Sequence, residues 1–83
     1  MSIGTLIKTD TIHGLFHGLV TDYHYDDSHA KLFCDIAWND NDQTTETFNE
    51  YEDYDVSEYH FYHKGRWWLI YENFWKFKQV LEG

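Results

Sequence analysis

The chain has 83 residues and a formal net charge of −9, and a fifth of its residues are aromatic, with four Trp, seven Tyr, six Phe, no Pro and one Cys. That aromatic density excludes a disordered tail, a lone cysteine excludes an internal disulfide framework, and the longest apolar run, Trp67 to Tyr71, is far short of the ~20 residues a membrane helix needs. What remains is one domain spanning 1–83, dense in large side chains and mostly β, since aromatic and β-branched residues pack well on a pleated surface.

Thr5 to Asp10 reads as a short strand closed by a turn at His13 and Gly14. Phe16 to Tyr25 is rich in β-formers but holds Gly18, which predicts a bulge or sharp bend there. After a polar tip at Asp26 to His29, Lys31 to Trp38 alternates cleanly. Leu32, Cys34, Ile36 and Trp38 fall on one face, and Lys31, Phe33, Asp35 and Ala37 on the other. Asn39 to Asp42 predicts a turn, because short Asx side chains bond the local backbone and tolerate left-handed conformations. Thr44 to Phe48 resumes a strand, which makes Tyr23 to Phe48 a three-stranded meander, and the acid-crowded run Asn49 to Asp55 is expected on the surface.

The strongest hairpin signal comes next. Tyr59 to His63 and Arg66 to Tyr71 flank Lys64-Gly65, in a register that sets Tyr62 opposite Trp67 and Phe61 opposite Trp68. The tail from Phe74 to Leu81 supports two readings. Trp75, Phe77, Gln79 and Leu81 alternate as in a strand, whereas Phe74, Phe77 and Leu81 share a helix face. Strand is the favoured reading, because no helix cap beyond Asn73 is convincing, with a short C-terminal helix as the alternative.

The charge is unevenly spread. Residues 22–58 hold twelve acids against the single cation Lys31, interleaved with seven aromatics, whereas residues 59–83 are mildly cationic. Such a field repels duplex nucleic acid and anionic lipid and speeds encounter with a basic partner.

The pattern Gly18-Leu19-Val20, then Lys31 to Asp40 with its Trp38-Asn39-Asp40 end, then Glu46 to Glu50, resembles the strand order of small SH3-like barrels of the Tudor and KOW kind. The resemblance implies a small all-β, mostly antiparallel barrel over residues 1–56 with an appended aromatic hairpin and tail over 57–83. The acidic, aromatic-rich, cysteine-poor format is similar in style to accessory proteins of bacteriophages that bind and inhibit a host protein. With the lone cysteine and an N-terminus lacking the charged start and apolar run of a signal peptide, the expected compartment is a cytoplasm, the host's if the chain is phage-encoded.

No motif points to catalysis. Cys34 shares the face of Leu32 and Ile36, where an inert buried thiol is the common case, and the carboxylates are too many for any single pair to be informative. Six histidines invite a metal reading, with His24 and His29 flanking Asp26-Asp27, but none of the spacings, including His13/His17 and His60/His63, matches a ligand motif. No catalytic residue, metal or cofactor is therefore expected.

Three binding readings remain. In the first, Asp40, Asp42, Glu46, Glu50, Tyr51, Glu52, Asp53, Tyr54, Asp55 and Glu58 form an acidic face that binds a basic or nucleic-acid-handling protein, with DNA mimicry as its sharper form. In the second, Lys64, Arg66, Trp67, Trp68, Trp75, Lys76 and Lys78 stack and neutralise a nucleotide or single strand. The third is self-association as a homo-oligomer or structural subunit through exposed aromatics.

Overall fold

The computed structural model describes residues 4–50 and 58–83. Six antiparallel strands, β1 (Leu6–Thr11), β2 (Gly14–Asp26), β3 (Lys31–Trp38), β4 (Gln43–Asn49), β5 (Tyr59–His63) and β6 (Arg66–Leu69), form one sheet in the order β4-β3-β2-β1-β5-β6. A single turn of 3₁₀ helix at Tyr71–Asn73 leads into α1 (Phe74–Glu82). The chain is thus mostly antiparallel β, as its composition predicts. The expected barrel does not close, because β4 and β6 end the sheet, and β5–β6 is no appendage but extends the same sheet beyond β1.

The 13-residue β2 belongs to both halves of the sheet. Its first part pairs with β1 from Thr11↔Gly14 to Leu6↔Leu19, and its later part pairs with β3 from Gly18↔Trp38 to Asp26↔Lys31. The bend expected at Gly18 instead appears as a register shift between Val20 and Asp22. Gly18 has another purpose. A Cβ there would lie 2.7 Å from Ile36 Cγ2, 2.8 Å from Trp38 Cε3 and 2.9 Å from the Ala37 carbonyl oxygen, so only glycine lets β3 approach where the two halves overlap.

The inner face of the sheet carries the core. Ile7, Val20, Leu32, Cys34, Ile36 and Phe61, six inward positions on β1, β2, β3 and β5, pack with Ile70, Phe74, Phe77 and Leu81. Phe77 touches both halves, with ring centroids 5.7 Å from Phe48 and 5.0 Å from Phe61. The β5–β6 register is the expected one, Phe61↔Trp68 and Tyr62↔Trp67, around a turn in which Lys64 (φ 50°) and Gly65 (φ 83°) are both left-handed, as a two-residue primed turn demands.

The favoured strand reading of Phe74 to Leu81 is overturned. β6 stops at Leu69, and after the 3₁₀ turn the tail from Phe74 to Glu82 forms a helix whose buried residues are Phe74, Phe77 and Leu81. A nine-residue helix is marginal alone and has no side-chain N-cap, since Asn73 donates its Nδ2–H to the Leu69 carbonyl instead. What selects helix is the need for a second layer over the apolar sheet face, a need that alternation within the tail does not reveal. Among the described residues no helix is long and apolar enough to cross a membrane.

Candidate functional site

Strand pairing sorts the side chains onto two faces, and the outer face, away from α1, is divided by charge. On the β2–β3 side, Asp22 and Asp35 are direct cross-strand partners, both exposed. The Asp22 Oδ1 accepts the Tyr23 N–H (2.9 Å), and the Asp35 Oδ1 accepts the Thr45 hydroxyl (2.6 Å). Beside them lies a shallow polar depression of about 340 Å³ lined by Thr21, Asp35, Gln43, Thr44 and Thr45. Among the described residues only Asp26, paired with His29 at 2.8 Å, and Glu82, paired with Lys78, sit in ion pairs. The His29 hydrogen bond holds the Asp26 carboxyl below its ordinary value, and the Glu82 hydrogen bond raises Lys78.

On the β1–β5–β6 side the outer face is aromatic and basic. His17, Lys8, His60 and Leu69 form one cross-strand row, and Ala37, Leu19 and Leu6 form another. Trp67 spans this area: its ring lies 4.5 Å from Lys8 Nζ, 6.0 Å from the His17 ring and 5.2 Å edge-on from Tyr62.

A third feature lies on the inner face at the margin of the core, where Trp38 and Tyr59 pack against it. The Trp38 Nε1–H donates to Thr44 Oγ1 (2.7 Å), and that hydroxyl donates to Glu46 Oε2 (2.7 Å). Tyr59 lies beside this pair, and burial first, then the Glu46 charge, push its phenol up to about 12. Glu46 is thus a half-buried carboxylate in the middle of β4, held by its own neighbours.

The described members of the acidic set do not share one face. Asp40 and Asp42 cap the β3–β4 turn, accepting the Asp42 and Gln43 N–H groups at 3.0 Å each. Glu46 faces inward, Glu50 accepts the Trp75 Nε1–H at 3.1 Å beyond the other end of β4, and Glu58 lies just before β5. Tyr51, Glu52, Asp53, Tyr54 and Asp55 lie outside the described residues.

The Trp/Lys set is also dispersed. Trp67 is on the outer face, and Trp68 is on the inner one, with Arg66 at 3.9 Å and Lys76 at 4.7 Å from its ring. Trp75 and Lys78 instead meet Tyr25, and Lys64 occupies the turn.

Sequence reasoning missed Asp22, Asp35 and Lys8, and weighed His17 and His60 only as metal ligands. Alternation along Lys31 to Trp38 already placed Asp35 opposite the core, but Asp22 comes into line with it only through the β2 bulge. Lys8 meets Trp67 only because β5 pairs with β1 across a long separation in sequence. Cys34 is buried as expected, and burial, aided by the neighbouring Asp35 charge, pushes its thiol up to about 12, which makes it a poor nucleophile. Among the described residues no three His, Cys, Asp or Glu side chains gather as a metal site would require.

No protein-family model matches the chain, and no curated protein or solved structure is significantly similar to it.

Proposed function

We propose that this chain is a non-enzymatic binding protein that docks a basic protein through carboxylates displayed on the β2–β4 part of its sheet. The observation that carries the reading is the Asp22–Asp35 pair. Like charges directly across a strand pair work against stability, and this pair has no cation among the described residues to offset it, so a partner's Lys or Arg is the natural complement. The carboxylates lie on neighbouring strands ~4.8 Å apart, a spacing suited to a basic groove, including one that otherwise takes nucleic acid.

The test uses paired substitutions. Asp22→Asn with Asp35→Asn should leave the fold as stable as before or slightly more so, while capture of basic proteins at low salt weakens and loses its salt dependence. If the double variant captures the same proteins with the same salt response, these carboxylates are not the site.

A second reading rests on the Lys8–Trp67 contact. An aromatic ring beside Lys8 and His17, with His60 across from Lys8, suits a phosphate-bearing planar ligand, and titration with mono- and dinucleotides should then quench Trp fluorescence saturably. A flat response in the parent, or identical quenching in Lys8→Ala, sinks it.

A further inference from the structure

The strand that ends the sheet beside the acidic region has a feature the surface carboxylates do not explain. β4, Gln43–Asn49, is seven residues long, or roughly 23 Å of edge, and its register with β3 runs without a break from Lys31↔Asn49 to Ala37↔Gln43. Its sequence QTTETFN has three β-branched Thr and lacks the Lys, Pro or bulge with which edge strands usually resist pairing. The opposite edge, β6, is only four residues long and starts with Arg66, so it is short and cationic. Among the described residues no strand lies beyond β4.

One device does guard β4. Glu46 points inward from the middle of the strand and is half-buried, and an inward charge on an edge disfavours indiscriminate pairing. Its carboxylate accepts the Thr44 hydroxyl and has acceptor capacity for more, since a carboxylate offers about four lone-pair sites. An incoming strand is therefore accepted or rejected by what it sets beside Glu46.

We propose that β4 is a selective docking edge that takes an extended segment of a basic protein as a seventh strand, with a Lys or Arg of that segment beside Glu46 and an apolar residue two positions away beside Phe48. This rests on the acidic-binding reading above and adds the partner's conformation to it. Charge argues for this occupant over a second copy. Two copies pairing antiparallel about the middle of β4 would bring Glu46 against its own counterpart, within assemblies whose chains each carry −9. A cationic segment reverses both terms. It would use backbone pairing for affinity and the inward side chains for selection.

The test uses nine-residue Thr/Val peptides with a central Lys, the same peptide with Glu in place of Lys, and two copies of the Lys peptide N-methylated at alternate amides in either phase. Binding is read by fluorescence anisotropy at low salt, and its location by amide hydrogen exchange in the full chain. The proposal expects the Lys peptide to protect amides within Gln43–Asn49, to lose at least tenfold in affinity in one N-methylated phase, and to lose a similar factor with the central Glu. Glu46→Gln, which keeps the acceptor to Thr44, should weaken the Lys peptide severalfold. Equal binding by both N-methylated copies, with protection absent from β4, overturns strand addition yet leaves the acidic-surface reading standing. Loss of binding only in the Asp22→Asn/Asp35→Asn variant has the same meaning. Protection of β4 in the peptide-free protein together with a dimeric mass assigns the edge to a second copy and overturns the proposal, as does failure of the Lys peptide to bind.

Discussion

Gly18→Ala is the sharpest test of how the two halves of the sheet are joined. The new methyl group would sit 2.7 Å from Ile36 Cγ2, 2.8 Å from Trp38 Cε3 and 2.9 Å from the Ala37 carbonyl oxygen. A side chain can move a few tenths of an ångström, but the carbonyl belongs to the paired strand and cannot retreat without breaking the Gly18↔Trp38 register. Overpacking of this kind costs about 1–3 kcal/mol. The usual Gly→Ala gain of about 0.4–1 kcal/mol from a less flexible unfolded chain offsets part of it. A net loss of about 1–2 kcal/mol remains. For a domain of this size each kcal/mol is worth about 4–8 °C, so Tm should fall by roughly 5–15 °C in circular dichroism melts. The Trp38 Nε1–Thr44 bond should loosen as well, which near-ultraviolet dichroism reports. Ile36→Ala removes the closest contact, so the double variant should be less unstable than the two single losses combined, by about 0.5 kcal/mol or more. A Gly18→Ala Tm at or above that of the parent would refute the close-approach account of this glycine.

The helix layer predicts a large effect at one position: Phe77, fully buried between Phe48 and Phe61, should cost about 3–5 kcal/mol as Phe77→Ala, and denaturant titration that shows less than 1 kcal/mol would remove α1 from the core. At the β5–β6 turn, Lys64→Asn should raise Tm slightly, because Asn tolerates the left-handed conformation better, whereas Gly65→Ala should lower stability by about 1 kcal/mol. Cys34 should resist iodoacetamide at pH 8 in the native protein and react fully in guanidinium; rapid native labelling would contradict its burial. Cys34 and Tyr59 both hold their protons up to about 12 in the fold, against ordinary values of 9.0 and 10.0, so between those limits the native state binds more protons than the unfolded one. Stability should therefore fall as pH rises above about 9, by at most ~1.4 kcal/mol per pH unit per group, and Cys34→Ala should flatten the early part of that limb.

The elements fixed by short-range rules were legible in the sequence. The β3 alternation, the Asx turn at Asn39 to Asp42 and the Lys64-Gly65 hairpin with its aromatic register follow from period-two patterning and turn chemistry, which act over a few residues. The inert burial of Cys34 followed from the same alternation. Other features depend on partners distant in sequence. Phe74 to Glu82 became a helix because the sheet's apolar face needed a cover, and the sheet stayed open because β5 paired with β1 and left β4 and β6 at its edges. The charge excess itself was plain from composition. Which acids act together was not, since a one-residue bulge after Val20 turned Asp22 toward Asp35 while β4 turned Glu46 inward, and a single step of strand phase reverses the face on which every following side chain lies.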